Sequence, residues 1–219
     1  MEYLNQADGK TYNQGQIRKM HPNMSLPRVW AESVCEVLGI TPVAETPKPQ
    51  PTSLTKIVVR DGTTIDALGH TVQAWAERDM FSDYTDENDI TVTKAEQEAD
   101  YLEKLKKDKK SQMKQQRDAE ISTTTSVTVP SGTYEIDCNQ VARSNLHQSI
   151  DNAEIAGLTD TDTTTWKMAD NLFYEVTYGE LKLMGLQIAQ FIQTQYAKEA
   201  AKYIEIETAT FETIEGIEW

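Results

Sequence analysis

The sequence has 219 residues, 38% of them hydrophobic and 26% charged, with 35 Asp and Glu against 21 Lys and Arg and a net charge of −14. So acidic a chain is a poor ligand for nucleic acid, whose phosphates are held by Lys and Arg, and a poor adherent to anionic membrane surfaces. The apolar supply is thin for one large core, so small modules that dock on a partner or oligomerise are expected. Basic residues gather only at 94–117, where acids are interleaved with them. Cys35 and Cys138 lie far apart and no disulfide is expected between them. No apolar run is long enough for a transmembrane helix, and the first residues lack the pattern of a signal peptide.

In chain order, Asp8-Gly9 is a turn signal that lets Tyr3-Leu4 pair with Tyr12 in a small hairpin. Residues 14–20 predict one or two helical turns ending before His21-Pro22, because the residue preceding proline avoids the helical region. Residues 30–38 predict a short amphipathic helix on Val34, Val37 and Leu38, closed by Gly39. Together, 1–40 form an expected N-terminal docking module. Pro42, Pro47, Pro49 and Pro51 then mark 41–52 as an extended, semi-rigid linker.

A small β module is expected over 53–92. Strand 56–60 is followed by the turn pair Asp61-Gly62, and 71–76 is its partner. Residues 93–121 predict a long charged spacer helix, opened by a Thr93/Glu96 capping box and supported by the i,i+4 pairs Asp100/Lys104 and Glu103/Lys107. Ala95, Leu102 and Leu105 fit a heptad, but Lys109, Gln112 and Gln116 follow at the core positions. The helix therefore reads as a solvated strut that touches a partner at Leu102 and Leu105.

Residues 122–207 predict a C-terminal α+β domain of one β-hairpin and two helices. Val127-Thr128-Val129 and Tyr134-Glu135-Ile136 alternate around Pro130-Ser131-Gly132, a hairpin signal. Ala142, Leu146, Ile150 and Ala153 line one face of a helix over 139–156, ended by Gly157. A polar turn at 159–165 precedes Trp166, the turn pair Asp170-Asn171 and a short strand at 173–176. Thr177/Glu180 forms a second capping box, with Val176 and Leu181 placed as a hydrophobic staple. Leu181, Met184, Ile188, Phe191, Ile192 and Tyr196 give the inward stripe of the last helix. The acidic tail 208–219 carries Phe211, Ile214, Ile217 and Trp219, which read as further partner contacts.

No reaction chemistry stands out. His21, His70 and His147 fall in separate regions without ligand spacing. The acidic loops Asp83, Asp86, Glu87, Asp89 and Asp160, Asp162 lack the EF-hand pattern, and no nucleotide-loop or nucleophile-elbow motif occurs. No enzyme, metal or cofactor is expected, and the fold class is α+β.

Two segments carry a resemblance. The run with Gly9-Lys10-Thr11-Tyr12, Ile17-Arg18 and His21-Pro22-Asn23-Met24-Ser25-Leu26-Pro27 resembles the N-terminal segment of tail-fibre-associated and tail-fibre-assembly proteins of tailed bacteriophages. Residues 127–203 are similar to a C-terminal domain of unassigned function that recurs in phage tail-fibre-type proteins. The matching features are the hairpin, the helix at 139–156, Trp166 before Ala169-Asp170-Asn171, and Val176-Thr177 with Glu180-Leu181. Residues 29–40 have no counterpart there. The resemblance implies a structural virion protein, fibre- or baseplate-associated, made in the host cytoplasm and joining other tail or fibre proteins during host attachment. It also implies a homo-oligomer, with a trimer expected from the symmetry of fibres. An assembly chaperone absent from the mature virion is the alternative.

Overall fold

The computed structural model describes residues 1–219, which form two compact units, Met1–Glu98 and Ala99–Trp219. Five helices and several small antiparallel sheets make the chain α+β. No helix is long and apolar enough to cross a membrane.

In the first unit, β1 (Glu2–Asn5) and β2 (Thr11–Asn13) pair as a hairpin with Tyr3 opposite Tyr12. Asp8 turns it by accepting the Lys10 N–H, and Gly9 takes a left-handed φ of 69°. Helix α1 (Gln14–Met20) starts on an Asn13/Gln16 capping box and stops at His21. Helix α2 (Glu32–Leu38) ends on Gly39 at φ 63°, a conformation glycine adopts without a Cβ penalty. Tyr3, Ile17, Cys35, Leu38 and Ile40 form this unit's core. Val37, expected inside, is exposed, while Cys35 takes the inward place. Arg18 donates to the carbonyls of Leu26 (2.8 Å) and Pro27 and lies over Trp30, which fixes the His21–Pro27 loop.

The proline run is extended but is not a free linker. Its first residues form β3 (Ile40–Val43), which pairs with β1 to give the order β2-β1-β3. Pro42 is tolerated because β3 is an edge strand. Ala44 then bridges Val72, and Thr46 accepts from the Trp75 indole (2.9 Å) and donates to the Gln73 carbonyl (2.9 Å). Residues 1–40 and 53–92, expected as separate modules, therefore share one unit.

Strand β4 (Lys56–Ile65) runs straight past Asp61-Gly62 to pair with β5 (Thr71–Asp79). The register shifts between Arg60 and Thr63, with Gly62 at φ 73°, so the expected turn pair is a β-bulge. The turn proper lies at Asp66–Gly69, where Asp66 Oδ1 accepts the Leu68 and His70 N–H groups. A two-rung ladder of β6 (Tyr84–Thr85) and β7 (Thr91–Val92) spans the acidic loop, whose Asp86 accepts from Asn88 and Ile90 N–H.

Helix α3 (Lys94–Glu120) opens on the expected capping box, with Thr93 N–H donating to Glu96 Oε2 (2.8 Å) and Glu96 N–H to Thr93 Oγ1 (3.2 Å). Glu103 pairs with Lys106 rather than Lys107. In the second unit, β8 (Thr124–Val129) and β9 (Gly132–Asp137) form the expected hairpin. Helix α4 (Gln140–Ile155) starts on Asn139, whose side chain accepts the Ala142 N–H (2.9 Å). Part of the stretch expected as a polar turn is a strand, β10 (Thr163–Lys167), paired with β11 (Phe173–Thr177). Threonine suits a half-buried pleated surface, so a polar run of this kind can enter a sheet.

Helix α5 (Tyr178–Glu207) carries the Thr177/Glu180 capping box and buries Leu181, Met184 and Ile188 against the β8–β9 hairpin, α4 and Val176. It also closes the outer edge of β8. The Gln187 amide accepts the Thr128 N–H (2.9 Å) and donates to the Thr128 carbonyl (2.8 Å), standing in for a neighbouring strand. Glu180 Oε1 accepts the Ser131 N–H (2.7 Å).

Glu180 is a buried carboxylate. The N–H of Thr177 chiefly, and those of Ser131 and the Thr177 hydroxyl with it, hold its pKa below the ordinary glutamate value, against the opposing effect of burial. A lowered folded pKa gives stability that is present above the unfolded pKa and lost as pH falls through the folded one. Glu180→Gln should therefore cost about 1–3 kcal/mol at neutral pH. Urea midpoints of wild type and variant should converge on acidification. A gap that stays constant to the acid limit would rule this linkage out.

Candidate docking cleft and helix seam

The six residues read from sequence as partner contacts lie along one seam inside the second unit. Leu102 and Leu105 are half-buried on α3, and Tyr101 stacks on Phe211 with ring centroids 6.1 Å apart. Leu105 and Ile214 wall one small groove. Ile214 and Ile217 are buried within the chain, and the half-buried Trp219 ring lies 4.6 Å from Lys198 Nζ. The tail is therefore not a free partner segment. Two short turns, with Ile214 N–H donating to the Thr210 carbonyl, put Ile214 and Ile217 on one side, and Lys109 Nζ donates to the Glu215 carbonyl.

Helix α3 is not a solvated strut in this unit. It runs antiparallel to the end of α5, since Lys110 meets Glu207 while Arg117 meets Glu199. Its inner face is Lys106, Lys110, Met113, Arg117 and the following Ile121, spaced by three or four residues. A heptad search misses this face because three of its members are cations, and long cationic side chains bury their alkyl stems while the charged ends reach acids. At its centre Arg117 Nη1 donates to Glu199 Oε2 (2.6 Å), with both side chains buried. Tyr203 donates to Glu199 Oε1 (2.8 Å), and the guanidinium lies 4.6 Å from the Tyr196 ring.

A cleft of about 620 Å³ opens on another face, lined by β9, β10 and the first turns of α4. Backbone hydrogen bonds define it. Cys138 N–H bonds Thr123 O, so alternation along the ladder turns the backbone groups of Glu135 and Asp137 away from β8. Likewise Met168 N–H bonds Leu172 O and Tyr178 N–H bonds Asp162 O, which turns Thr165 and Lys167 away from β11. The two outward edges face each other. One bond, Ala169 N–H to Glu135 O (3.0 Å), joins them, and no ladder continues it. Beyond that point the strands diverge and the cleft begins.

Its walls mix apolar and polar groups. Val141 and Phe173 are exposed at the rim, beside Asp137, Asn145 and Lys167. The Trp166 indole N–H is buried without a hydrogen-bond partner. A buried donor left in this state costs free energy. Nearby, the Leu172 N–H and the Tyr174 hydroxyl hold the Asp170 carboxyl below its ordinary range, and this fixes the β10–β11 turn. Burial pushes the Cys138 thiol up, so it stays protonated at neutral pH. None of the cleft residues was among the sequence-predicted contacts. The signal in the sequence is Trp166 within a Thr/Lys run, whose polar composition favours a turn over the strand it forms. No group of three or more His, Cys, Asp or Glu side chains that could hold a metal ion occurs.

A family model described as "Domain of unknown function (DUF4376)" matches residues 104–218, just over half of the chain. The chain belongs to this family. The DUF4376 match nearly coincides with the second compact unit, so it takes in the α3–α5 seam, the tail and the cleft together. No curated protein and no solved structure matches the chain.

Proposed function

We propose that the chain is a structural component of a bacteriophage tail, a fibre- or baseplate-associated adaptor that joins other tail proteins and acts as a homo-oligomer. The resemblance of residues 8–27 and 127–203 to tail-fibre-type proteins supports the setting. The cleft supports the mode of action. Two unpaired strand edges and the exposed Phe173 and Val141 suit an extended partner segment. Such a segment adds main-chain hydrogen bonds to an open edge and places alternate side chains in the groove. The first unit, with its own core, supplies a second body for a second partner.

Mass spectrometry of gradient-purified particles of the encoding phage tests this reading. Copy number in a fixed ratio to known tail parts is expected. Phe173→Glu, at an exposed position, should leave the chain folded yet lower its copy number in particles. Absence of the wild-type chain from particles, with co-purification on unassembled fibres, would instead make it an assembly chaperone.

A further inference from the structure

Helix α5 has a second face that the fold leaves unused. Opposite the buried stripe of Leu181, Met184 and Ile188, an outward seam repeats every 3.5 residues through Leu183, Leu186, Gln190, Gln193, Ala197, Ala200 and Ile204. All seven are exposed, Leu183 by 43%, Leu186 by 55% and Ile204 by 69%. The seam spans about 32 Å at 1.5 Å per residue. Leucine and isoleucine anchor its ends, and Ala197 and Ala200 in its C-terminal half let another backbone come close.

Charge separates this face from the rest of the molecule. The chain carries −14, yet no ionic side chain lies on the seam. Its flanks are Lys182, Ala189, Tyr196 and Tyr203 on one side and Gln187, Thr194 and Ala201 on the other, with Lys182 already paired to Glu154 and Asp160. The three charged residues between Leu183 and Ile204 are engaged elsewhere. Glu199 bonds Arg117, Lys198 lies over Trp219, and Lys202 pairs with Glu205. A basic partner would find no acid here to pair with. A second copy, which is equally acidic and repelled elsewhere, finds an uncharged strip with the 3.5-residue spacing on which like helices pack.

We propose that the outward face of α5 is a self-association seam, with α5 of a second copy lying parallel and in register along it. This deepens the oligomeric part of the reading above and rests on it only there. The neutral seam admits an interface between acidic copies, while the Gln190 and Gln193 layers select register, since polar core layers favour alignment with themselves.

Sedimentation equilibrium of the purified full chain, over about 1–500 µM, reads the oligomer directly. Wild type is expected to associate. Leu186→Glu and Ala197→Glu place a charge on the seam at exposed helical positions and should each weaken association by about a hundredfold or more. Ile155→Glu, on an exposed site of α4, should leave it unchanged. Circular dichroism verifies that the variants stay helical. Ala197→Cys should cross-link to itself on oxidation, because the two native cysteines are buried. A wild type that stays monomeric throughout, or seam variants that associate as wild type does, would overturn the proposal. Neither result would touch the tail assignment, which presence in particles decides.

Discussion

Replacing Arg117 by alanine is expected to destabilise the second unit by about 3–5 kcal/mol, because it leaves a buried carboxylate without its cation. Glu199 is 6% exposed and would keep only the Tyr203 hydroxyl, while Tyr196 would lose the guanidinium above its ring. The contrast with surface pairs is instructive. Lys182 bridges Glu154 and Asp160 at 3.0 Å each, but all three are well exposed, and such pairs contribute about 0–1 kcal/mol. The double change Arg117→Met, Glu199→Met should recover most of the loss, since a packed apolar pair avoids the desolvation cost altogether. Urea unfolding measures the size of the effect, and hydrogen exchange along α3 and α5 locates it. A loss under about 1 kcal/mol for Arg117→Ala would mean that water reaches the pair.

Leu181→Ala should cost about 2–5 kcal/mol, the range for truncating a fully buried leucine. Leu181 is completely buried and packs in the core that also holds Val127, Ile136, Val176 and Met184. It also has a second role. Val176 precedes the N-cap Thr177 and Leu181 lies one turn inside, so their contact sets the angle at which β11 turns into α5. Truncation therefore removes core volume and loosens the joint that aims the helix. The same urea and exchange measurements should show protection lost first at the start of α5. Unchanged protection there, with a smaller global loss, would separate simple cavity formation from loss of the staple.

Local chemistry was legible in the sequence wherever a few neighbouring residues decide the outcome. Thr93/Glu96 and Thr177/Glu180 are capping boxes in both readings because a hydroxyl and a carboxylate three residues apart satisfy each other's backbone groups. Gly39 and Gly157 end their helices, and the Pro130-Ser131-Gly132 turn joins β8 to β9. The α+β class and the inward stripe of α5 follow from the same short-range periodicity.

What only the tertiary structure decided involves groups distant in the chain. Asp61-Gly62 has the chemistry of a turn, yet the continuation of β4 opposite β5 makes it a bulge, because the ladder gains more rungs by running on. The proline run reads as a linker, but an edge place beside β1 costs Pro42 no hydrogen bond and lets Thr46 dock on β5. The inner face of α3 hides behind Lys106, Lys110 and Arg117, whose partners on α5, the Glu207 carbonyl and the Glu207 and Glu199 carboxylates, are far away in sequence. For the same reason, Ile214 and Ile217 read as exposed contacts until the tail folds back beside α3. The cleft depends on two hairpins meeting at one hydrogen bond and then diverging, and periodicity within a single strand carries no trace of that geometry. Sequence alone determined the caps, turns and helical stripes of this protein, because each is settled within a few residues. Which faces meet, and which are left open for partners, depended on packing between elements that the chain brings together only when it folds.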